Sequence, residues 1–161
     1  MRLLLIISLF SLMACHGSNS ANGGGPGATQ GPSAMVKGSG LACPQISGNF
    51  QCYGTDSAGK RVRTSEVGLR FSKNSSNQQV FELSAGGVTE SYIADGDIQT
   101  DGKLTYVVDC HPTSLTLHSA TPDYFDLTNK FTFTSRSSFD SRIQGVAKGK
   151  STDQTLSCFL K

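Results

Sequence analysis

The chain has 161 residues, of which 14 are Lys or Arg and 12 are Asp or Glu, giving a formal net charge of +2 and a charged fraction of 16%. So even a balance, with no basic block, argues against a nucleic-acid partner. Beyond residue 40 about 120 residues remain, which suits one domain with one modest core and leaves no room for a second.

Arg2 opens the chain with a positive charge, Leu3 to Leu12 form an apolar run, and Leu12-Met13-Ala14-Cys15 places a small residue directly before a cysteine. The run is too short to cross a hydrocarbon core, which takes about 20 residues as helix. This arrangement resembles the lipobox of bacterial lipoproteins, so residues 1–14 are expected to be a removable signal peptide. The resemblance implies that the Cys15 thiol takes a diacylglycerol and that its freed amine is acylated after cleavage. Two or three chains then hold the protein to a bilayer, because each buried methylene contributes about 0.8 kcal/mol and a single chain binds only marginally. Ordinary secretory cleavage near Ala14 is the alternative, since Met13 stands where Ala, Ser or Thr is commoner. His16 follows the cysteine where lipoproteins kept at the inner membrane usually carry Asp, which points to the outer membrane. The expected location is the bacterial cell envelope, with the membrane as a partner through the N-terminal lipid.

Residues 15–40 continue as a Gly-, Ser- and Asn-rich stretch with almost no apolar side chains, too little to offset the entropy of ordering it. It is expected to be a flexible tether with a reach of roughly 25 to 30 Å. The domain is expected to occupy residues 41–161. It holds Cys43, Cys52, Cys110 and Cys158, an even number in an exported chain, and two disulfides are the natural reading. Four-thiolate zinc binding is the rival, but no Cys-x-x-Cys pair exists.

From Gly48 onward the pattern has period two, with β-branched and aromatic residues separated by Gly, Asp, Asn and Ser. Strands are predicted at 48–55, 61–72, 78–84, 88–94, 104–110, 114–119, 125–135, 142–148 and 154–160. Turns are predicted at Ala58-Gly59, Asn74 to Asn77, Gly86-Gly87, Asp101-Gly102, Pro122-Asp123 and Ser151 to Asp153. The fold class is therefore all-β, an antiparallel meander closed into a small disulfide-stapled barrel, with a two-sheet sandwich as the alternative. In a closed barrel the first and last strands are neighbours. That favours joining Cys52 or Cys43 to Cys158 and the remaining one to Cys110.

Alternation puts Phe50 and Cys52 on one face of the first strand, Leu104, Tyr106, Val108 and Cys110 on one face of the fifth, and Leu156, Cys158 and Leu160 on one face of the last. Phe50, Phe71, Phe81, Tyr106, Phe131 and Phe133 are the candidate ligand-lining residues, and they could equally fill a solid core. The stretch Cys43-Pro44-Gln45-Ile46-Ser47-Gly48-Asn49-Phe50-Gln51-Cys52, with a glycine two residues before an aromatic at the head of the meander, resembles the start of lipocalin-like barrels. Tyr92-Ile93-Ala94-Asp95-Gly96 and Tyr106-Val107-Val108-Asp109-Cys110 resemble segments of small bacterial lipoproteins with such domains. The resemblance implies a pocket for a small apolar ligand and carries over no catalytic residue; the lipocalin pattern has Trp where Phe50 stands.

Catalytic motifs are missing from the sequence. There is no Gly-x-Ser-x-Gly elbow and no His-Glu-x-x-His helix, and His111 and His118 read as surface residues. Asp95, Asp97 and Asp101 could offer oxygens to calcium, but Thr100 stands where the helix-flanked loop needs glycine, and a turn with solvated aspartates serves as well. Lys60-Arg61-Val62-Arg63 reads as an edge strand guarded by charge, or as a contact for lipid head groups or glycan. No metal, cofactor or catalytic residue is therefore expected. The expected function is non-catalytic binding of a small apolar ligand or, as the alternative, interaction with an envelope protein through loops such as 74–78 or 121–124.

Overall fold

A computed structural model describes residues 34–56 and 58–161. The signal segment 1–14, Cys15 and the tether up to residue 33 lie outside the described residues.

Ten strands run in chain order: β1 (Gly48–Thr55), β2 (Arg61–Lys73), β3 (Gln79–Ala85), β4 (Val88–Ile93), β5 (Gln99–Asp101), β6 (Leu104–His111), β7 (Ser114–Thr121), β8 (Phe125–Ser135), β9 (Ser138–Ala147) and β10 (Lys150–Leu160). Each pairs with the next, except that β4 does not pair with β5, and β10 returns to pair with β1. The result is an up-and-down barrel, hydrogen-bonded all the way round but for one junction, and the sandwich alternative falls away. Polar and apolar residues alternate as the barrel requires. In β8, Phe125, Leu127, Phe131 and Phe133 are buried, while Lys130 and Thr132 are exposed. A barrel inserted in lipid presents the reverse pattern, an apolar band outward.

Two disulfides staple this meander. Cys52 and Cys158 are register partners on β1 and β10 and are bonded to each other, so the bridge lies where the barrel closes. Beside it the register of β1 against β2 slips between Gln51 and Tyr53. There the buried Gln51 amide donates to the carbonyls of Cys52 at 3.0 Å and Ser65 at 3.1 Å, serving backbone groups that the bulge leaves off the ladder.

The second bridge, Cys43–Cys110, belongs to the open junction. On the β4 side, the Ile93 N–H donates to the Tyr106 hydroxyl of β6 at 3.2 Å, and the Tyr92 and Tyr106 rings meet edge to face at 5.1 Å. Side chains thus take over where a strand pair is missing. The segment before β1 straps the same end: Lys37 pairs with Asp97 at 2.6 Å, Gly38 N–H donates to the Gly96 carbonyl at 2.7 Å, and Ser39 N–H donates to Asp109 at 2.6 Å. Among the described residues, polar contact with the barrel is therefore made from Lys37 on, ahead of the expected domain start at Leu41.

Burial alone would raise the Asp109 carboxyl, but hydrogen bonds from Ser39 and the charge of neighbouring His111 outweigh it and hold the group below its ordinary value. A carboxyl lowered in the folded state contributes stability that is full above the ordinary pKa of about 3.9 and is lost as pH falls through the folded value. Protection of the Ser39 amide from hydrogen exchange, corrected for intrinsic rate, is expected to fall in that acid range while the amides of β8 keep theirs. Equal loss at both places would assign the effect to the whole barrel instead.

Two sequence expectations need correction. The short β5 was not predicted. The β9–β10 turn is not at Ser151 to Asp153 but at Lys148-Gly149, whose φ of 51° and 72° suit a tight two-residue hairpin; β10 extends back to Lys150 to meet it, and β9 starts earlier than expected, at Ser138. The Arg61–Arg63 stretch is a local edge as expected: β3 pairs only with Val67–Lys73 of β2, so among the described residues Arg61 to Arg63 pair with β1 on one side and with no strand on the other. There Arg61 stacks over Tyr53 at 4.2 Å and Phe159 at 4.8 Å, and Arg63 pairs with Glu66 at 3.0 Å.

Candidate functional site

The barrel interior has two unlike halves. At the end where the strap enters, aromatic rings fill it. Phe50 packs on Phe139 at 4.9 Å, Phe139 on Phe131 and Phe133 at 5.7 and 5.8 Å, Phe131 on Phe81 at 5.7 Å, and Phe81 on Phe71 at 5.3 Å. These rings stack there because the inward positions near the ends of β1, β2, β3, β8 and β9 that meet at this end are all Phe.

Toward the other end the inward residues shrink and the space opens. A cavity of about 690 Å³ extends from Phe131 and Phe139 to the Gly86-Gly87 turn between β3 and β4. Val67, Leu83, Leu117, Leu127, Ile143 and Leu156 supply most of its apolar wall. Polar groups sit among them: Thr64, Ser119, Asn129, Ser141, Gln154 and Glu90. Ser141 donates to the Asn129 side-chain oxygen at 2.8 Å across β8 and β9, and the buried Thr64 hydroxyl has no hydrogen-bond partner among the described residues. The volume falls in the roughly 300–1,000 Å³ range of small-molecule sites, which also combine apolar walls with a few placed polar groups.

Glu90 is the least expected member of this wall. It shares the inner face of β4 with Val88 and Tyr92, and the Tyr92 hydroxyl donates to Glu90 Oε2. Burial first, then the bond to Glu90, pushes the Tyr92 pKa up, so the hydroxyl stays a proton donor.

Of the six aromatics proposed from the sequence, Phe131 borders the cavity. Phe50, Phe81 and Phe133 are buried in the packed half, Phe71 packs against that cluster, and Tyr106 bridges the β4–β6 junction. As lining residues these five are corrected: their rings pack on other rings, Phe50 and Phe133 on Phe139, Phe71 on Phe81 and Tyr106 on Tyr92, and none borders the cavity. Phe139, which also borders the cavity, was missed because it fell between the strands predicted at 125–135 and 142–148. Glu90 was missed although its parity with Tyr92 gives its direction, since a carboxylate in a strand is ordinarily read as outward.

The histidines both lie on the outer face, His111 against Asp109 at 3.2 Å and His118 against Asp126 at 2.7 Å. His118 is half-buried by its neighbours rather than freely exposed. The Asp95 carboxylate is occupied by the Asp97 N–H at 2.9 Å and the Gln99 amide, and Asp97 by Lys37. Among the described residues no cluster of three or more His, Cys, Asp or Glu is placed to hold a metal ion.

No family model and no curated protein matches this chain significantly. Among solved structures, that of EF1p2_mFAP2b bound to DFHBI is similar at 15% identity and a TM-score of 0.33, over 73% of this chain and 94% of that one.

Proposed function

We propose that the protein is a lipid-anchored component of the bacterial envelope, a tethered cup that holds a small, largely apolar molecule without transforming it. The observation that carries this reading is the cavity of about 690 Å³, left in the half of the barrel that the Phe cluster does not fill. The outer face is polar, so the barrel itself belongs in water and attachment falls to Cys15. The strap from Lys37 to Cys43 joins the packed end, which turns the cavity mouth at Gly86-Gly87 away from the tether. The alternative, a filled barrel acting through loops, fits only the packed half. Loop 74–78 is tied down by its own Asn74, which accepts from the Ser76 and Gln78 N–H groups at 3.0 and 2.9 Å.

Native mass spectrometry of the protein taken from its own envelope tests the reading. Acylation on Cys15 is expected, together with a further mass that organic extraction removes. In vitro, the neutral dye N-phenyl-1-naphthylamine is expected to brighten on binding. Leu83→Trp, which puts an indole into the cavity from β3, is expected to weaken that binding by about ten-fold or more, some 1.4 kcal/mol. An unaltered titration for the Trp variant would place the dye elsewhere, and a chain unmodified at Cys15 would remove the lipid anchor.

A further inference from the structure

We infer that the molecule held in the cup carries an amine on an apolar body, that its ammonium docks on Glu90, and that carboxylate-headed amphiphiles are rejected. This rests on the cup being a ligand site and goes further by fixing the sign of the head group. Among the described residues, Glu90 and Glu66 are the only charged side chains on the cavity wall, with no Lys, Arg or His beside them. Glu66 is already engaged with Arg63 at 3.0 Å and Lys161 at 2.8 Å. Glu90, by contrast, sits inward between Val88 and Tyr92, opposite Leu83 in register, and no ion pair among the described residues includes it.

Its fixed partner is the Tyr92 hydroxyl on Oε2, a neutral donor that orients the carboxyl without balancing its charge. A carboxylate drawn out of bulk water without a countercharge is costly, and a bound ammonium supplies both the charge and the donors. A second carboxylate at the same place would add repulsion instead. Ser119, Asn129 and Ser141 can hydrogen-bond a head group of either sign, so discrimination falls to Glu90.

The test uses the full chain and three dansyl probes of matched length: 11-(dansylamino)undecanoic acid, N-dansyl-1,11-diaminoundecane and N-dansyl-undecylamine, titrated by fluorescence at neutral pH. The diamine is expected to bind at least about ten-fold tighter than the acid, and Glu90→Gln to bring that ratio to within about two-fold. Because the readout is a ratio within one protein, a general change in the cup's affinity cancels. If the neutral probe binds but the wild-type protein takes acid and amine alike, or prefers the acid, the amine inference falls while the cup reading stands. A ratio unchanged by Glu90→Gln would remove the role of Glu90. If none of the three binds, both readings fall.

Discussion

Replacing Cys52 and Cys158 together with Ala is expected to cost about 4 to 5 kcal/mol of unfolding free energy, comparable to the whole net stability of many small domains. The bridge spans a sequence separation of 106 and joins register partners on the first and last strands. In the chain-entropy description its removal frees nearly the entire domain in the unfolded state, so that pairing β10 to β1 must again be won against full loop closure. Both sulfur atoms are also buried, which adds the loss of packed volume. Urea unfolding followed by far-UV circular dichroism would measure the effect as a fall in midpoint. Removing Cys43 and Cys110 in the same way opens a separation of 67, for which the same model gives about 4 kcal/mol. That second variant is expected to differ in kind: the strap should lose its protection from exchange while β1 and β10 keep theirs. A cost under about 1 kcal/mol for the Cys52–Cys158 pair would mean that the unfolded chain is already compact enough for closure to be cheap.

Much of this architecture is legible in the sequence, because period-two alternation is a local signal and a barrel imposes it on every strand. β1 and β8 stand where that alternation puts them, and the pairing of β10 with β1 follows from the need to hide strand edges. The reading fails where both faces of a strand are polar. Ser151, Thr152 and Asp153 look like a turn, yet Thr152 points to the same side as Gln154 and Leu156 near the wide end of the cavity. A strand without contrast between its faces gives no register by itself. The site was half legible for a related reason. Alternation tells which aromatics face inward, but whether they fill space or surround it depends on ring-to-ring distances across strands far apart in sequence. Phe81 and Phe131 meet at 5.7 Å only because the barrel wall, running from β3 through β1 and β10 to β8, has brought them round to each other.

Gly145→Ala is expected to be the most damaging single substitution at a position with no side chain to lose. Gly145 lies inside β9, paired with Leu127 of β8 and Thr152 of β10, at φ 137°, where L side chains are strained. A Cβ there would stand 2.0 Å from the Asp126 carbonyl oxygen and 3.0 Å from its carbon. These are backbone atoms of the neighbouring strand, held by the ladder, so no side-chain rotation relieves the contact. Either β8 and β9 part at this point, losing ladder hydrogen bonds beside Ile143 and Leu127 of the cavity wall, or the φ of residue 145 changes and the strand direction changes with it. The two routes together suggest a loss of about 3 to 5 kcal/mol. Gly149→Ala provides the contrast, since that residue also has positive φ, at 72°, but an added Cβ meets nothing within 4 Å. Only the conformational cost of about 1 to 2 kcal/mol applies there. Thermal and urea midpoints of the two variants separate steric from conformational strain. Similar shifts for both would show that β8 yields to the added methyl, and would then require the cavity wall at Leu127 to move with it.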